Sequence, residues 1–266
     1  MSRQTPPRLG FFTYLDGPGT QAEIYRQVIE RFARAEQVGF DSAWVAQHHF
    51  AHHGGLPSPL VFFASVAARI PRIRLGTAII ALSLDDPIRL AEDAAVLDVL
   101  HPGRFELGLG TGFATDAVLA TFDRAGRDKR ELYNAGLERL QAAFAGAALN
   151  SDGDVLNPPA PDLRGRIWES PASLERTIEV AKRGNGLLLS RVAIGGGDRP
   201  TPEIQVPLVE GYLANLPAGV EPRIGFSRTV YPAWNEATAL ANIAQGLQAA
   251  AQSPQGANTP VYARSL

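Results

Sequence analysis

The feature that most constrains this sequence is a recurrence of short apolar runs of β type, each followed by a segment of helical periodicity. The runs occupy 9–13, 42–46, 74–81, 105–109, 166–169, 187–190 and 223–230, so their starts lie 33, 32, 31, 61, 21 and 36 residues apart. The first three intervals match one βαβ unit of about 30 residues, the crossover that neighbouring parallel strands require. Between the first two runs, Ile24, Val28, Phe32 and Ala35 follow helical spacing, with Glu23, Arg26, Glu30 and Arg34 on the other face and Gly39 as a C-terminal stop. Leu90, Ala94, Leu97 and Leu100 repeat that pattern, and further helices are expected over 58–69, 129–145, 171–183, 203–215 and 235–250.

Alternation of this kind predicts an α/β fold with a parallel sheet, either a (β/α)8 TIM barrel or a doubly wound open sheet. The open sheet would carry G-x-G-x-x-G at its first strand-to-helix turn, where this chain reads Tyr14-Leu-Asp-Gly-Pro-Gly19. The later Gly108-Leu-Gly-Thr-Gly112 has Phe113 in place of the third glycine, so the barrel is preferred. Seven β-then-α units are readable, and 252–266, rich in Ser, Pro, Gln and Gly, offers no eighth strand. Either the barrel lacks part of its eighth unit or the count is one short. Residues 1–266 are expected to form a single barrel domain, with an insertion around 113–164 and an irregular tail over 252–266.

Composition removes several functions. The 266 residues contain no cysteine, which excludes disulfides, thiolate zinc sites, iron–sulfur clusters and cysteine nucleophiles. Basic and acidic residues number 25 and 27 with no like-charged block, so no nucleic acid partner is expected. The longest apolar run, 60–68, is broken by Ser65 and too short to cross a bilayer, and 1–8 lacks the apolar core of a signal peptide. No membrane association is expected, and a cytoplasmic location is.

In a barrel the chemistry lies just past the C-terminal ends of the strands. Three clusters stand there. The first is Gln47-His48-His49-Phe50 with His52 and His53, four of the five histidines in the chain. Barrel metal sites draw ligands from several strands, and only His101 lies elsewhere, so no metal is expected. His52 and His53 read as loop residues. His48, nearest the strand, suits general acid/base work, because an imidazole titrates near neutral pH. The second cluster is Gly108, Gly110 and Gly112 around Leu109 and Thr111. It permits either close approach of a flat ring or phosphate to the backbone, or a tight turn. The third is Glu169-Ser170-Pro171-Ala172-Ser173, read as a strand end with Ser170 as N-cap and Pro171 at the first helical position. That arrangement serves as a phosphate cradle or as a plain cap. For a phosphate, the Glu169 carboxylate must turn away and Arg191 or Arg228 must supply positive charge.

Residues 39–50 (Gly-Phe-Asp-Ser-Ala-Trp-Val-Ala-Gln-His-His-Phe), Arg74-Leu-Gly-Thr-Ala78, 87–93, Leu97-Asp98, 103–108 and Gly186-Leu-Leu-Leu-Ser-Arg191 together resemble the bacterial luciferase-like flavin monooxygenases. These are (β/α)8 barrels that use reduced FMN and O2 or, in some branches, F420, and the likeness is nearest to an FMN-dependent branch without an assigned substrate. The resemblance implies that His48 is catalytic, matching the first histidine of a Glu-His-His-Phe motif whose Glu is here Gln47. It places Thr77, Ala78 and Ile79 beside the flavin ring, with a non-proline cis peptide there. It assigns Glu169, Ser170 and Ser173 to the phosphate, and Ser190 and Arg191 join the proposed cofactor residues. Gly110 and Thr111 stand where the luciferase has a reactive Cys and a phosphate-binding Arg, so light emission is not expected and the phosphate must be held differently or more weakly.

The implied activity is that of a two-component monooxygenase. FMNH2 from a separate flavin reductase reacts with O2 to a C4a-hydroperoxide, and an oxygen atom passes to a small organic substrate while His48 manages protons. A homodimer is implied by the same resemblance. Two alternatives stand beside it: a catalytically idle flavin-binding or structural homologue with an incomplete barrel, and an F420-dependent oxidoreductase.

Overall fold

β1 (Gly10–Thr13), α1 (Gln21–Gln37), β2 (Ser42–Val45) and α2 (Pro59–Ala67) follow one another at the predicted spacing. They are followed by β3 (Arg74–Thr77), β4 (Ile80–Ala81), α3 (Pro87–Leu100), β5 (Phe105–Gly110), α4 (Asp116–Thr121) and α5 (Lys129–Phe144). A 3-10 turn, Pro161–Arg166, leads into β6 (Ile167–Glu169), α6 (Leu174–Lys182), β7 (Gly186–Leu189), α7 (Thr201–Asn215), β8 (Ile224–Phe226) and α8 (Glu236–Gln252). This computed structural model describes residues 7–50, 55–112, 114–191 and 199–252. His52, His53 and Phe113, and the expected tail beyond Gln252, lie outside the described residues. Among the described residues no helix is long and apolar enough to cross a membrane. The chain packs as two compact units, Met1–Glu169 and Ser170–Leu266.

In the first unit β1, β2, β3, β5 and β6 run parallel in that order, and β4 also pairs with β5. Register puts Phe12, Trp44 and Gly76 side by side, and alternation sends their neighbours to the opposite face. Ala43, Val45, Leu75, Leu107, Leu109 and Ile167 are buried there with Val28, Phe32, Phe63, Val66 and Leu140 from the helices. Full burial of each large apolar side chain contributes about 1.5–3 kcal/mol, so this layer dominates the stability of the unit. Helix α1 starts at Thr20, whose hydroxyl and the Glu23 carboxylate form a reciprocal capping box. Arg104 gathers the carbonyls of Ala67, Ile70 and Ile73 behind α2, and Arg166 grips Asp98 through two bonds of 2.6 and 2.7 Å.

The other face of these strands is aromatic and polar. Trp44 meets Trp168 edge-on at 5.9 Å, and its indole N–H donates to Ser42 Oγ at 2.8 Å. The Trp168 N–H donates to Glu106, which also binds Arg74. Trp44 lies so close to β3 that a Cβ on Gly76 would sit 2.2 Å from its ring. Glycine is thus required at 76 by contact.

In the second unit β7 and β8 pair in parallel, Leu187 with Ile224 and Leu189 with Phe226. Val180, Ala181, Leu187, Leu189 and Tyr212 form a small core, and the Tyr212 hydroxyl, fully buried, donates to the Asn185 carbonyl at 2.8 Å.

Three expectations are corrected. The run 74–81 is two strands, β3 and β4, separated by a cis Ala78–Ile79 peptide. Helix α4 was not expected, because six residues give too few turns for a readable period. Helix α6 begins at Leu174 with Ser173 as its N-cap, whereas the sequence pointed to Ser170 and Pro171. The Ser173 hydroxyl accepts from the Arg176 N–H at 3.4 Å and its carbonyl accepts from the Thr177 hydroxyl at 2.9 Å, a pair of bonds that Ser170 does not make with α6.

Candidate functional site

In the first unit the strand ends meet around the β3–β4 break. The Ala78 N–H donates to the Val45 carbonyl at 2.7 Å, and the Gln47 N–H to the Ile79 carbonyl at 3.2 Å. On the other side the Leu82 N–H donates to Gly110 at 3.1 Å, so β2 and β5 hold the cis segment between them. Thr77 is fully buried, and its hydroxyl donates to the Gly108 carbonyl at 2.8 Å while accepting the Gly108 N–H at 2.9 Å. That hydroxyl splices the two strands, which leaves the Thr77 side chain no further donor for a ligand.

The glycine cluster divides between its two readings. Gly112 has φ +64°, and a Cβ there would lie 2.6 Å from that of Ala81, so it belongs to a tight turn. A Cβ on Gly110 would stand 3.1 Å from the Ile79 side chain, so the space beside this glycine is bordered by the residue after the cis bond. Thr111 is half-buried, and its carbonyl accepts the Ser83 hydroxyl at 2.9 Å.

His48 follows β2. Its backbone N–H donates to Leu56 at 3.0 Å and its ring lies 5.5 Å from that of Tyr14. The ring nitrogen Nδ1 is buried with no hydrogen-bond partner among the described residues. Burial pushes the imidazole below its ordinary pKa and His49 acts the same way, against a smaller opposing pull from Asp16. Burial therefore favours the neutral form of His48. His49 packs edge-on against Phe122 at 4.7 Å, and burial lowers its pKa too, opposed by Asp85. His101 ends α3 against Phe105, at the other end of β5.

Sequence reasoning gave Glu169 a carboxylate that must turn away. The structure shows where it turns: Glu169 is buried and accepts the Tyr133 hydroxyl at 2.7 Å. Tyr133 was not singled out, since nothing local marks a tyrosine on α5 as the partner of a strand end 36 residues later. Gln47 and Asp85 were likewise missed as a pair, with the Gln47 amide donating to Asp85 at 3.3 Å.

In the second unit the ends of β7 and β8 carry two guanidinium groups. Arg191 donates to the Thr229 hydroxyl at 3.3 Å, and Arg228 donates to Gln205 Oε1 at 2.6 Å while standing 5.6 Å over the Phe226 ring. The Gln205 amide donates in turn to the Ser190 carbonyl at 2.7 Å, tying α7 to both strand ends. Burial lowers the pKa of Arg228 without threatening its charge. Ser173 caps α6, whose first N–H groups and dipole favour an anion. Ser170 is half-buried, three residues before that cap. A neutral imidazole beside a backbone-lined strand break can exchange a proton, and a hydroxyl-capped helix with two arginines in the same unit can bind an anion.

The sequence profile of the luciferase-like monooxygenases matches residues 8–264. The chain is 27% identical over 186 residues to the alkanal monooxygenase alpha chain of the Kryptophanaron alfredi symbiont, covering 67% of this chain and 52% of that one. The monooxygenase RslO1 from Streptomyces bottropensis superposes with a TM-score of 0.76 at 22% identity, over 97% of this chain and 82% of that one. The oxygenating constituent of 3,6-diketocamphane monooxygenase from Pseudomonas putida, solved with FMN, gives 0.75 at 15% identity, over 94% and 77%. The first curated relatives are matched over about half of their own length or less. Relatives include both FMN-bound and F420-dependent proteins. The fold is the luciferase-like α/β barrel, with seven βα units among the described residues once β3 and β4 are counted as one interrupted strand. The chain belongs to the luciferase-like monooxygenase family.

Proposed function

We propose that this chain is the oxygenating component of a two-component flavin monooxygenase, acting on a small organic substrate with O2 and with reduced FMN from a separate reductase. The observation that carries the reading is His48, whose buried Nδ1 has no partner among the described residues at the end of β2. An orphaned ring nitrogen costs stability where it stands, a cost that a ligand hydrogen bond would offset. Each unit, taken by itself, carries groups that suit part of the cofactor. In the first, Ala78, Ile79 and Gly110 offer backbone without polar side chains, which suits a flat ring. In the second, Ser170, Ser173, Ser190 and Arg191, with Arg228, offer hydroxyls, N–H groups and positive charge, which suit a phosphate.

When bound, the flavin supplies oxygen activation and transfer to substrate. The protein binds, orients and excludes water, and His48 takes or gives a proton at its imidazole, whose neutral form burial favours. Thr77 maintains the strand splice beneath the ring-side residues. Glu169 is held within the first unit by the Tyr133 hydroxyl. The same reading has the chain acting in the cytoplasm as a homodimer, an assembly that sedimentation checks directly.

Anaerobic titration with FMN and then with dithionite-reduced FMN, followed by absorbance and heat, tests the proposal. Reduced FMN is expected to bind with a dissociation constant of about 1 µM or tighter. Preference for F420 in the same titration would move the chain to the deazaflavin reading that its F420-dependent relatives favour. Binding of none of the three by a folded chain would overturn the proposal in favour of a homologue that keeps the fold without the chemistry.

A further inference from the structure

Gln47 is the one position at which the chain departs from the Glu-His-His-Phe pattern, and its side chain is fully engaged. Its Oε1 accepts the Ala81 N–H at 2.7 Å, and its Nε2 donates to the Pro57 carbonyl at 3.1 Å and to Asp85 Oδ2 at 3.3 Å. Its backbone N–H bonds Ile79 at 3.2 Å, and the next N–H, that of His48, bonds Leu56 at 3.0 Å. One amide therefore ties the end of β2 to the strand break, to the segment before α2 and to the segment before α3. A carboxylate at 47 could still accept from Ala81, but it has no N–H for Pro57 or Asp85.

We infer that Gln47 and Asp85 form an amide–acid pair at the end of β2 that positions the adjoining His48. Gln47 is thus a positioning residue for the proton chemistry at His48, an inference that rests on the flavin reading for its catalytic meaning. Burial raises the Asp85 carboxyl above its ordinary pKa. The groups that face it are Gln47, His49 after β2, Arg124 after α4 and Asp93 on α3. Asp86 and Arg89 line the cavity beside the pair, with Asp86 occupied in capping α3 and Arg89 bound to Glu92 and Asp93.

The test compares wild type with Gln47→Glu, Asp85→Asn and the double variant Gln47→Glu/Asp85→Asn, first without flavin. In Gln47→Glu two carboxyl groups must share one proton, so the variant is expected to melt near wild type at pH 5 and about 4 °C lower by pH 8. Asp85→Asn keeps a donor on each side and is expected to show no such slope. The double variant restores the hydrogen bond in the reverse direction, removing the slope and returning the His48 imidazole NMR titration to its wild-type course. A Gln47→Glu variant without the slope, or a double variant no better than Gln47→Glu alone, would overturn the pair. With reduced FMN bound, Gln47→Glu is expected to turn over about tenfold more slowly at pH 8 with its flavin affinity unchanged, and the double variant to recover. Wild type that fails to bind reduced FMN counts against the flavin reading, while the flavin-free melting and NMR results still decide whether the pair positions His48.

Discussion

The two units finish their strands with opposite chemistry. In the first, the polar groups at the strand ends bond one another: Thr77 to Gly108, Gln47 to Asp85 and Ala81, Glu169 to Tyr133. What remains at the break is backbone and Ile79, and the His48 imidazole past β2 is one whose neutral form burial favours. In the second, Arg191, Arg228 and the capped end of α6 present charge and hydroxyls. A region that satisfies its own polar groups suits a flat, largely apolar ring, whereas one that keeps cations at strand ends suits an anion.

Removing the imidazole from the first unit tests this contrast most severely. His48→Ala is expected to keep flavin affinity and lose about 10²-fold or more in turnover, the usual worth of a positioned acid/base. Stopped-flow oxidation of reduced flavin with substrate reads it, and unchanged turnover would take His48 out of the mechanism. Gly76→Val strikes the scaffold of the same unit, since its side chain has no room beside Trp44. The expected loss is about 3 kcal/mol in urea unfolding, with early disruption of the Trp44–Trp168 contact.

Arg228→Gln sharpens the comparison from the other unit. FMN binding should weaken by about tenfold, with a reduced salt dependence, while riboflavin, which has no phosphate, binds as before. Equal weakening of both ligands would mean that Arg228 does not serve the phosphate.

The smallest effect is on pH dependence. His48 and His49 are depressed in the folded chain, so below the unfolded value of about 6.5 the unfolded chain takes up protons first. Stability should then fall as pH drops below that value and level off under the folded pKa values. Asp85 is raised above the model-peptide value of 3.8 and works the other way, its contribution being lost as pH rises through its folded pKa. Thermal melts in an Asp85→Asn background isolate the histidine slope, and His48→Gln should remove part of it.

Much of the architecture was legible before any coordinates, because a strand period of two and a helical stripe are properties of neighbouring residues. Each of the seven expected strand runs finds its place within the described residues, and His48 and Arg191 fall at strand ends as read, whereas Arg228, inside the expected run 223–230, lies past a strand that stops at Phe226. The boundaries that failed were those set by a partner far along the chain. The run 74–81 is uniformly β in composition, and it breaks where Thr77 bonds Gly108 and Gly110 yields to Ile79. The start of α6 failed for a local reason instead: Ser170 and Ser173 are equally good caps in sequence, and the bonds to Arg176 and Thr177, three and four residues on, select the second.

What the sequence by itself determined is the order of strands and helices, the absence of thiol chemistry, the histidine after β2 and the family the motifs resemble. Only the tertiary structure decided that the Thr77 hydroxyl is engaged in the strand splice, that Glu169 turns to Tyr133, and that Gln47 answers to Asp85. The physical reason is distance along the chain: these partners lie 31, 36 and 38 residues apart, and a hydrogen bond between them leaves no mark on the local pattern of either residue.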